Sequence, residues 1–370
     1  MESQNNNLSK DIDDEDKSSG ENIQNPFSPS DINISTPPMN MGDLIDMIEN
    51  GWINFGTNYQ REENLWTSEQ QSRLIESVLL GLRLPAFYFE VVEKRQWNII
   101  DGLQRCCAIR NFCVDQTLSL CGLEFLEDKF DGKLYNQFSF EIKRDIRMLP
   151  ITVNLLDKGT PDDVKYILFR RLNTGGIELT AQEIRNAVYI GVAIDIVAEM
   201  AKDTAFLDVT DHKIPTKRKL YMDFVSRFVA FYVTDYNNYK PDLDNFINNA
   251  MQIIKAGKVN TTQMQNDFHR SLLLCKEIFG NMAFRKQTAP NEIKRPLNKA
   301  VFEVITVLFS KLSNNEAVNL IKQKDAFKVD FWNTIKENPT YSNSFSGGTG
   351  RKDSVKTRFS ITQKIINKYI

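Results

Sequence analysis

Apolar positions fall into two regimes along this chain. Up to about residue 190, short helical stripes alternate with β-forming runs; beyond it the apolar period is almost wholly helical. Residues 1 to 30 are rich in Asn, Ser, Asp and Glu without apolar periodicity, which predicts a disordered tail. Order is expected to begin near Ile32-Asn33-Ile34. A helix follows at Met41–Asn50 with Leu44, Ile45 and Ile48 on one side and Gly51 as its stop. Thr67 and Ser68 stand at capping-box spacing before Gln70 and Gln71, and Leu74, Ile75, Val78, Leu79 and Leu82 continue as a helical stripe. Pro85 ends that helix. Ala86–Val92 reads as a strand, Glu93-Lys94-Arg95 as a polar turn and Gln96–Ile100 as the partner strand. Leu103–Phe112 then carries too many apolar positions for one narrow stripe, which predicts a mostly buried helix with Arg110 reaching solvent.

Thr160-Pro161 opens another helix, with Val164, Ile167, Leu168 and Leu172 facing inward, and Asn173-Thr174-Gly175-Gly176 closes it. Thr180 and Glu183 form a further capping box. Helical stripes then run through Phe224–Tyr232, Leu243–Ala256, Thr262–Phe279 and Ala300–Leu312. The expected organisation is an acidic tail (1–30), a small domain of strands and helices (31–190) and an all-α domain (191–370).

Composition narrows the function classes. With 41% hydrophobic and 25% charged residues the chain is of the soluble globular kind. It has no apolar run of membrane-spanning length and no apolar signal core, so a cytoplasmic protein without a membrane partner is expected. The five cysteines (Cys106, Cys107, Cys113, Cys121, Cys275) form no C-x-x-C pair and sit among apolar residues, as reduced, buried thiols do. With only His212 and His269 present, neither a zinc site nor a histidine-dependent nuclease site is read, and no metal ligands are assigned. Walker, G-x-S-x-G and H-E-x-x-H patterns are absent from the sequence. The net charge of −2 hides an asymmetry: residues 1–40 carry −6 and the rest +4, with basic clusters at Lys213–Lys219 and Arg351–Lys368.

Three constellations bear chemistry. Ile99-Ile100-Asp101-Gly102-Leu103-Gln104-Arg105 turns from a strand into a helix. It gathers a carboxylate, an amide, a guanidinium and helix N-terminal N–H groups in one volume suited to phosphate. Taken alone, the five residues Asp101–Arg105 favour an ordinary turn with Asp as helix cap and Arg as a surface charge. Tyr59-Gln60-Arg61, followed by Trp66, offers an aromatic, an amide and a guanidinium for a base and a phosphate, or a loop that covers the core. Phe169-Arg170-Arg171-Leu172-Asn173-Thr174-Gly175-Gly176, continuing to Glu183-Ile184-Arg185-Asn186, offers backbone donors to an anion, or a helix C-cap before a capped helix.

In this order the segments resemble the N-terminal domain of GmrSD-type restriction endonucleases, a member of the ParB/sulfiredoxin-like superfamily. The resemblance rests on Tyr59-Gln60-Arg61, Trp66, Leu74-Ile75-Glu76-Ser77, Pro85-Ala86-Phe87-Tyr88-Phe89 and the Asp101–Arg105 turn, then on Arg171–Gly176 and Glu183–Asn186. Arg227, Gly347-Gly348-Thr349-Gly350 and Arg358-Phe359 are weaker echoes of longer members. The resemblance implies an α+β fold, a ParB/sulfiredoxin-like domain followed by an all-α one. It also implies a nucleotide site, with NTP hydrolysis coupled to DNA restriction in some members. Carried over, Arg105 would grip phosphate, Gly102 would let it approach, and Gln60 and Arg61 would close the site. Asp101 and Gln104 would orient a metal or the attacking water, with Asn173 and Thr174 nearby. The implied cofactor is an NTP with Mg2+, and the implied partners are DNA and a separate nuclease. The chain departs from the family pattern in lacking the C-terminal His-dependent nuclease domain. Leu103 occupies the place of sulfiredoxin's catalytic cysteine, so no redox chemistry is expected. The alternative is a non-catalytic DNA- or protein-binding regulator that keeps the fold.

Overall fold

The computed structural model of the chain describes Ile12 and residues 33–55, 66–172, 179–289 and 292–370. Its contacts divide into two units, residues 27–178 and a second built on Leu179–Ile370.

Among the described residues the first unit holds six strands: β1 (Ile34–Ser35), β2 (Pro38–Asn40), β3 (Ile53–Asn54), β4 (Phe87–Glu93), β5 (Gln96–Asp101) and β6 (Pro150–Leu156). They lie in the order β1-β6-β4-β5-β3, with β2 also on β6. The sheet is mixed: β4 and β5 form an antiparallel hairpin, β3 runs parallel to β5, and β6 runs parallel to β4 but antiparallel to β1 and β2. The hairpin was legible in the sequence, but β6 was not. Pro150 and Asn154 interrupt its apolar run, and its alternation acquires meaning only beside β1, β2 and β4.

Among the described residues six α-helices accompany the sheet: α1 (Met41–Glu49), α2 (Ser68–Leu79), α3 (Leu103–Ile109), α4 (Glu127–Phe130), α5 (Phe140–Met148) and α6 (Asp162–Leu172). The capping box of Thr67 and Gln70 starts α2 as expected, and Asn40 with Asp43 supplies another for α1. Phe87, Phe89, Val153 and Leu155 point to one side of the sheet and form a single core with Leu44, Ile45, Ile75, Val78, Ile109 and Phe112. Polar residues occupy positions elsewhere on the sheet. Asn54 donates to Asn98 Oδ1 (3.0 Å), Asn98 to Glu90 Oε2 (3.4 Å), and the buried Lys165 of α6 ion-pairs with Glu90 and Asp162.

Glu76, buried on α2, accepts the backbone N–H groups of Glu124 (3.1 Å), Phe125 (2.7 Å) and Leu126 (2.9 Å). Burial alone would raise this carboxyl, but the three donors and Arg73 outweigh it and hold the group below its usual range. A depressed folded-state pKa contributes stability above the unfolded-state value that is lost as pH falls through the folded one. Glu76→Gln is therefore expected to lower Tm at neutral pH and to flatten the acid limb of a Tm-against-pH curve; an unchanged curve would show the cradle to be dispensable.

The second unit is helical: α7 (Ala181–Val188), α8 (Val192–Met200), α9 (Thr204–Val209), α10 (Leu220–Val233), α11 (Leu243–Lys255), α12 (Thr261–Phe279), α13 (Lys299–Ser310), α14 (Asn314–Lys322), α15 (Lys324–Glu337), α16 (Pro339–Asn343) and α17 (Lys352–Ile366). Every residue of α13 from Ala300 to Ser310 is buried, so this helix is the axis of the unit. Its one carboxylate, Glu303, accepts from Arg358 Nε at 2.7 Å and from Arg227 Nη1 at 3.3 Å, with all three side chains buried. Arg358 also donates to the carbonyls of Thr349 (2.7 Å) and Ser344 (3.3 Å). The buried Arg185 of α7 pairs with Asp244 (2.7 Å) and Asp223 (3.2 Å), and Asp223 also meets Lys299 at 2.8 Å. These bonds place α7 in the helical unit, so the compact boundary falls between Glu178 and Leu179, twelve residues before the one read from periodicity. Ile12, the one described residue of the acidic tail, is buried in a bridge to Leu297.

Candidate functional site

β5 ends at Asp101, Gly102 turns the chain, and α3 begins at Leu103. Gly102 stands at φ 101° and ψ 13°, a left-handed conformation that L side chains rarely adopt. A Cβ there would also lie 2.7 Å from Phe87 Cδ1. Strain and collision act together, so Gly102→Ala is expected to cost about 1–3 kcal/mol, read as a shifted urea midpoint with an unchanged m-value. No side chain caps α3, which continues directly into the π-helical turn Arg110–Val114.

Arg105 lies across this turn with its side chain only 11% exposed. Nη2 meets Asp101 Oδ2 at 2.7 Å and the carbonyl of Ala86 at 3.3 Å, Nη1 donates to the carbonyl of Pro85, and the guanidinium stacks over Phe87 with its carbon 4.6 Å from the ring centre. The guanidinium fork thus fastens α3 to the start of β4. Asp101 also accepts the Gly102 N–H. Burial raises the Asp101 carboxyl above its usual value, and the nearby Arg105 charge only partly offsets this.

Gln104 accepts the Trp66 N–H at its Oε1 (3.2 Å), while Gln71 Nε2 donates to the Trp66 carbonyl (3.0 Å) and is itself held by Asn111 Nδ2 (2.9 Å). Three amides from α2, α3 and the π-helical turn thus fix both backbone groups of Trp66. The sequence signal for this clamp was the amide-rich start of α2, read there only as a capping box. Arg110, expected to reach solvent, lies over the Phe55 ring at 4.4 Å and pairs with Asp115 at 3.5 Å. Its long stem lets a residue on a buried helix cover apolar surface while keeping a partner.

Asp101 and Arg105 meet across the Gly102 turn, whereas Gln104 turns its amide to Trp66. Gln60, Arg61, Asn173 and Thr174 lie outside the described residues. Glu183, Arg185 and Asn186 belong to the helical unit. Glu183 caps α7 and pairs with Arg218 (3.2 Å), Asn186 accepts from Gln182 (2.9 Å), and Arg185 is held by the two aspartates. All five cysteines are free thiols. Burial pushes the Cys106 thiol far up and that of Cys113 to about 12, so neither presents a thiolate. His269 faces Asp203 (2.9 Å) and the exposed His212 lies 3.6 Å from Asp208. Among the described residues no group of three His, Cys, Asp or Glu side chains is arranged to hold a metal, and no helix is long and apolar enough to cross a membrane.

Fold and turn together define a mixed α/β domain with a polar strand-to-helix turn, joined in sequence to a helical unit. Residues 41–190 match the family described as GmrSD restriction endonuclease, N-terminal domain, and this stretch of the chain is similar to that domain. The match ends inside the helical unit, just after α7. No curated protein and no solved structure matches the chain.

Proposed function

We propose that this chain is the nucleotide-binding, NTP-hydrolysing module of a DNA-directed restriction or anti-phage defence system. Its α/β unit is of the ParB/sulfiredoxin-like kind. The observation that carries the reading is the Asp101–Arg105 turn, standing inside the stretch similar to a restriction-endonuclease N-terminal domain. No side chain caps α3, so the start of this helical run suits an anion. An NTP would bring Mg2+ on its own phosphates, with Asp101 the one carboxylate of the turn able to face it. Bound there, the ion would neutralise charge on the phosphates. Gln104 holds the backbone of Trp66 beside the turn, and its contribution is to fix that residue. A separate nuclease partner would cut the DNA.

A second reading, a DNA- or protein-binding regulator without turnover, draws on the inward lock of Arg105 on Asp101, Pro85 and Ala86. The test is a panel of labelled NTPs offered to the purified full chain, with binding and phosphate release measured with and without DNA. Saturable NTP binding supports the first reading; no binding and no release for any nucleotide overturns it in favour of the second.

A further inference from the structure

Charge is segregated between the two halves of the chain. Leu179–Ile370 holds 28 Lys and Arg against 19 Asp and Glu, a net of +9 (+4 with residues 1–26, which group with it), whereas residues 27–178 hold 16 against 22, a net of −6. Polyanion contact therefore belongs to the helical half. Several cations on the surface of that half are neutralised locally: Lys276 by Asp208, Lys311 by Asp235, Lys324 by Glu277, Lys328 by Asp325 and Arg295 by Glu292.

α17 breaks that pattern. One of its faces is buried through Val355, Arg358, Phe359, Thr362, Ile365 and Ile366. On the other, Lys352, Lys356, Ser360, Lys364 and Lys368 follow each other at four-residue intervals, one ridge running past the helix end. The four lysines are exposed, and Asp353 is the one acid between residues 351 and 368. Lys368 pairs with Asp330 at 2.9 Å, but among the described residues no carboxylate lies within ion-pair distance of Lys352, Lys356 or Lys364. At a rise of about 1.5 Å per residue the ridge is roughly 24 Å long, with ammonium groups at steps of about 6, 12 and 6 Å. Holding like charges in such a row repels unless a polyanion meets it.

We propose that the α17 ridge is a docking surface for the phosphate backbone of double-stranded DNA, read without sequence preference. The ridge covers about seven phosphates of one strand, at one per roughly 3.4 Å of duplex axis. Lys352, Lys356 and Lys364 make the contacts, and Ser360, between them, leaves room for the backbone to approach. This assignment deepens the DNA-directed reading above and does not depend on the nucleotide site.

The experiment is fluorescence anisotropy of a labelled 20-base-pair duplex with the full-length chain, across a salt series and without nucleotide. The unchanged protein is compared with K352E/K356E/K364E, whose fold is checked by circular dichroism and whose NTP binding is measured in parallel. The unchanged protein is expected to bind with a steep salt dependence. The variant should weaken binding at least tenfold near 100 mM salt and lower the log–log salt slope by about 2 to 3, at roughly 0.9 per lost phosphate contact. Equal affinity and slope in the two proteins, or no duplex binding by either, overturns the proposal. So does tighter, ridge-dependent binding to single-stranded RNA or anionic vesicles than to duplex. NTP binding that persists in the variant isolates a failure of the ridge from a failure of the nucleotide reading.

Discussion

Glu303→Ala is expected to remove about 3–5 kcal/mol from the stability of the helical unit, the largest loss from any single truncation there. The side chain is fully buried on the central helix α13 and is the carboxylate that both Arg227 and Arg358 meet. Deleting it takes from the buried Arg358 the carboxylate it meets and from the buried Arg227 one of its counter-charges, in a setting that solvates neither guanidinium. The cost comes from stranding the partners rather than from intrinsic strength of the pair. Replacing all three residues, as R227M/E303L/R358M, should therefore recover much of the loss. Recovery will be incomplete, because Arg358 also serves the carbonyls of Thr349 and Ser344, and each orphaned buried carbonyl costs about 1–3 kcal/mol. Urea unfolding followed by far-ultraviolet circular dichroism, with Trp332 fluorescence for the helical unit, separates the two variants. A Glu303→Ala protein within 1 kcal/mol of the parent (roughly a fivefold change in the folding equilibrium) would mean that water replaces the carboxylate, against this account.

That network shows what the sequence could and could not disclose. Arg227 and Arg358 stood out as isolated family echoes, yet Glu303 drew no notice, because a charge inside an apolar helical stripe looks like an interruption until its partners are known. Local signals fared best. The capping boxes of Thr67 and Thr180, the β4–β5 hairpin and the helices from α10 to α13 all follow from spacing within a few turns of chain. Long-range pairing was hidden: β6 pairs with β4 across 66 residues of chain, and its polar positions deny it a continuous apolar run. At the candidate site the residues of the turn were legible, but their partners were not. Nothing in Pro85-Ala86-Phe87 announces that two carbonyls and a ring will receive Arg105, since backbone groups carry no sequence signature.

Arg105→Ala is expected to abolish NTP binding, and the way it does so discriminates between the two readings of the turn. The truncation removes the ion pair with Asp101, two carbonyl contacts and the stacking on Phe87, so the α/β unit should also lose about 2–3 kcal/mol. Loss of binding alone is then ambiguous, and Asp101→Asn resolves it. If Arg105 grips phosphate, it must exchange the Asp101 carboxylate for the nucleotide's oxygens, and that carboxylate is the competitor. Asp101→Asn weakens the competitor without emptying the turn, so it should bind NTP at least as tightly as the parent while phosphate release falls, because the carboxylate that faces metal or water is gone. If the pair only braces the strand-to-helix turn, both substitutions weaken binding in step with stability. Titration calorimetry and thermal melts on the parent and the two variants give the comparison. A folded Arg105→Ala protein that binds NTP as the parent does would remove Arg105 from the site altogether.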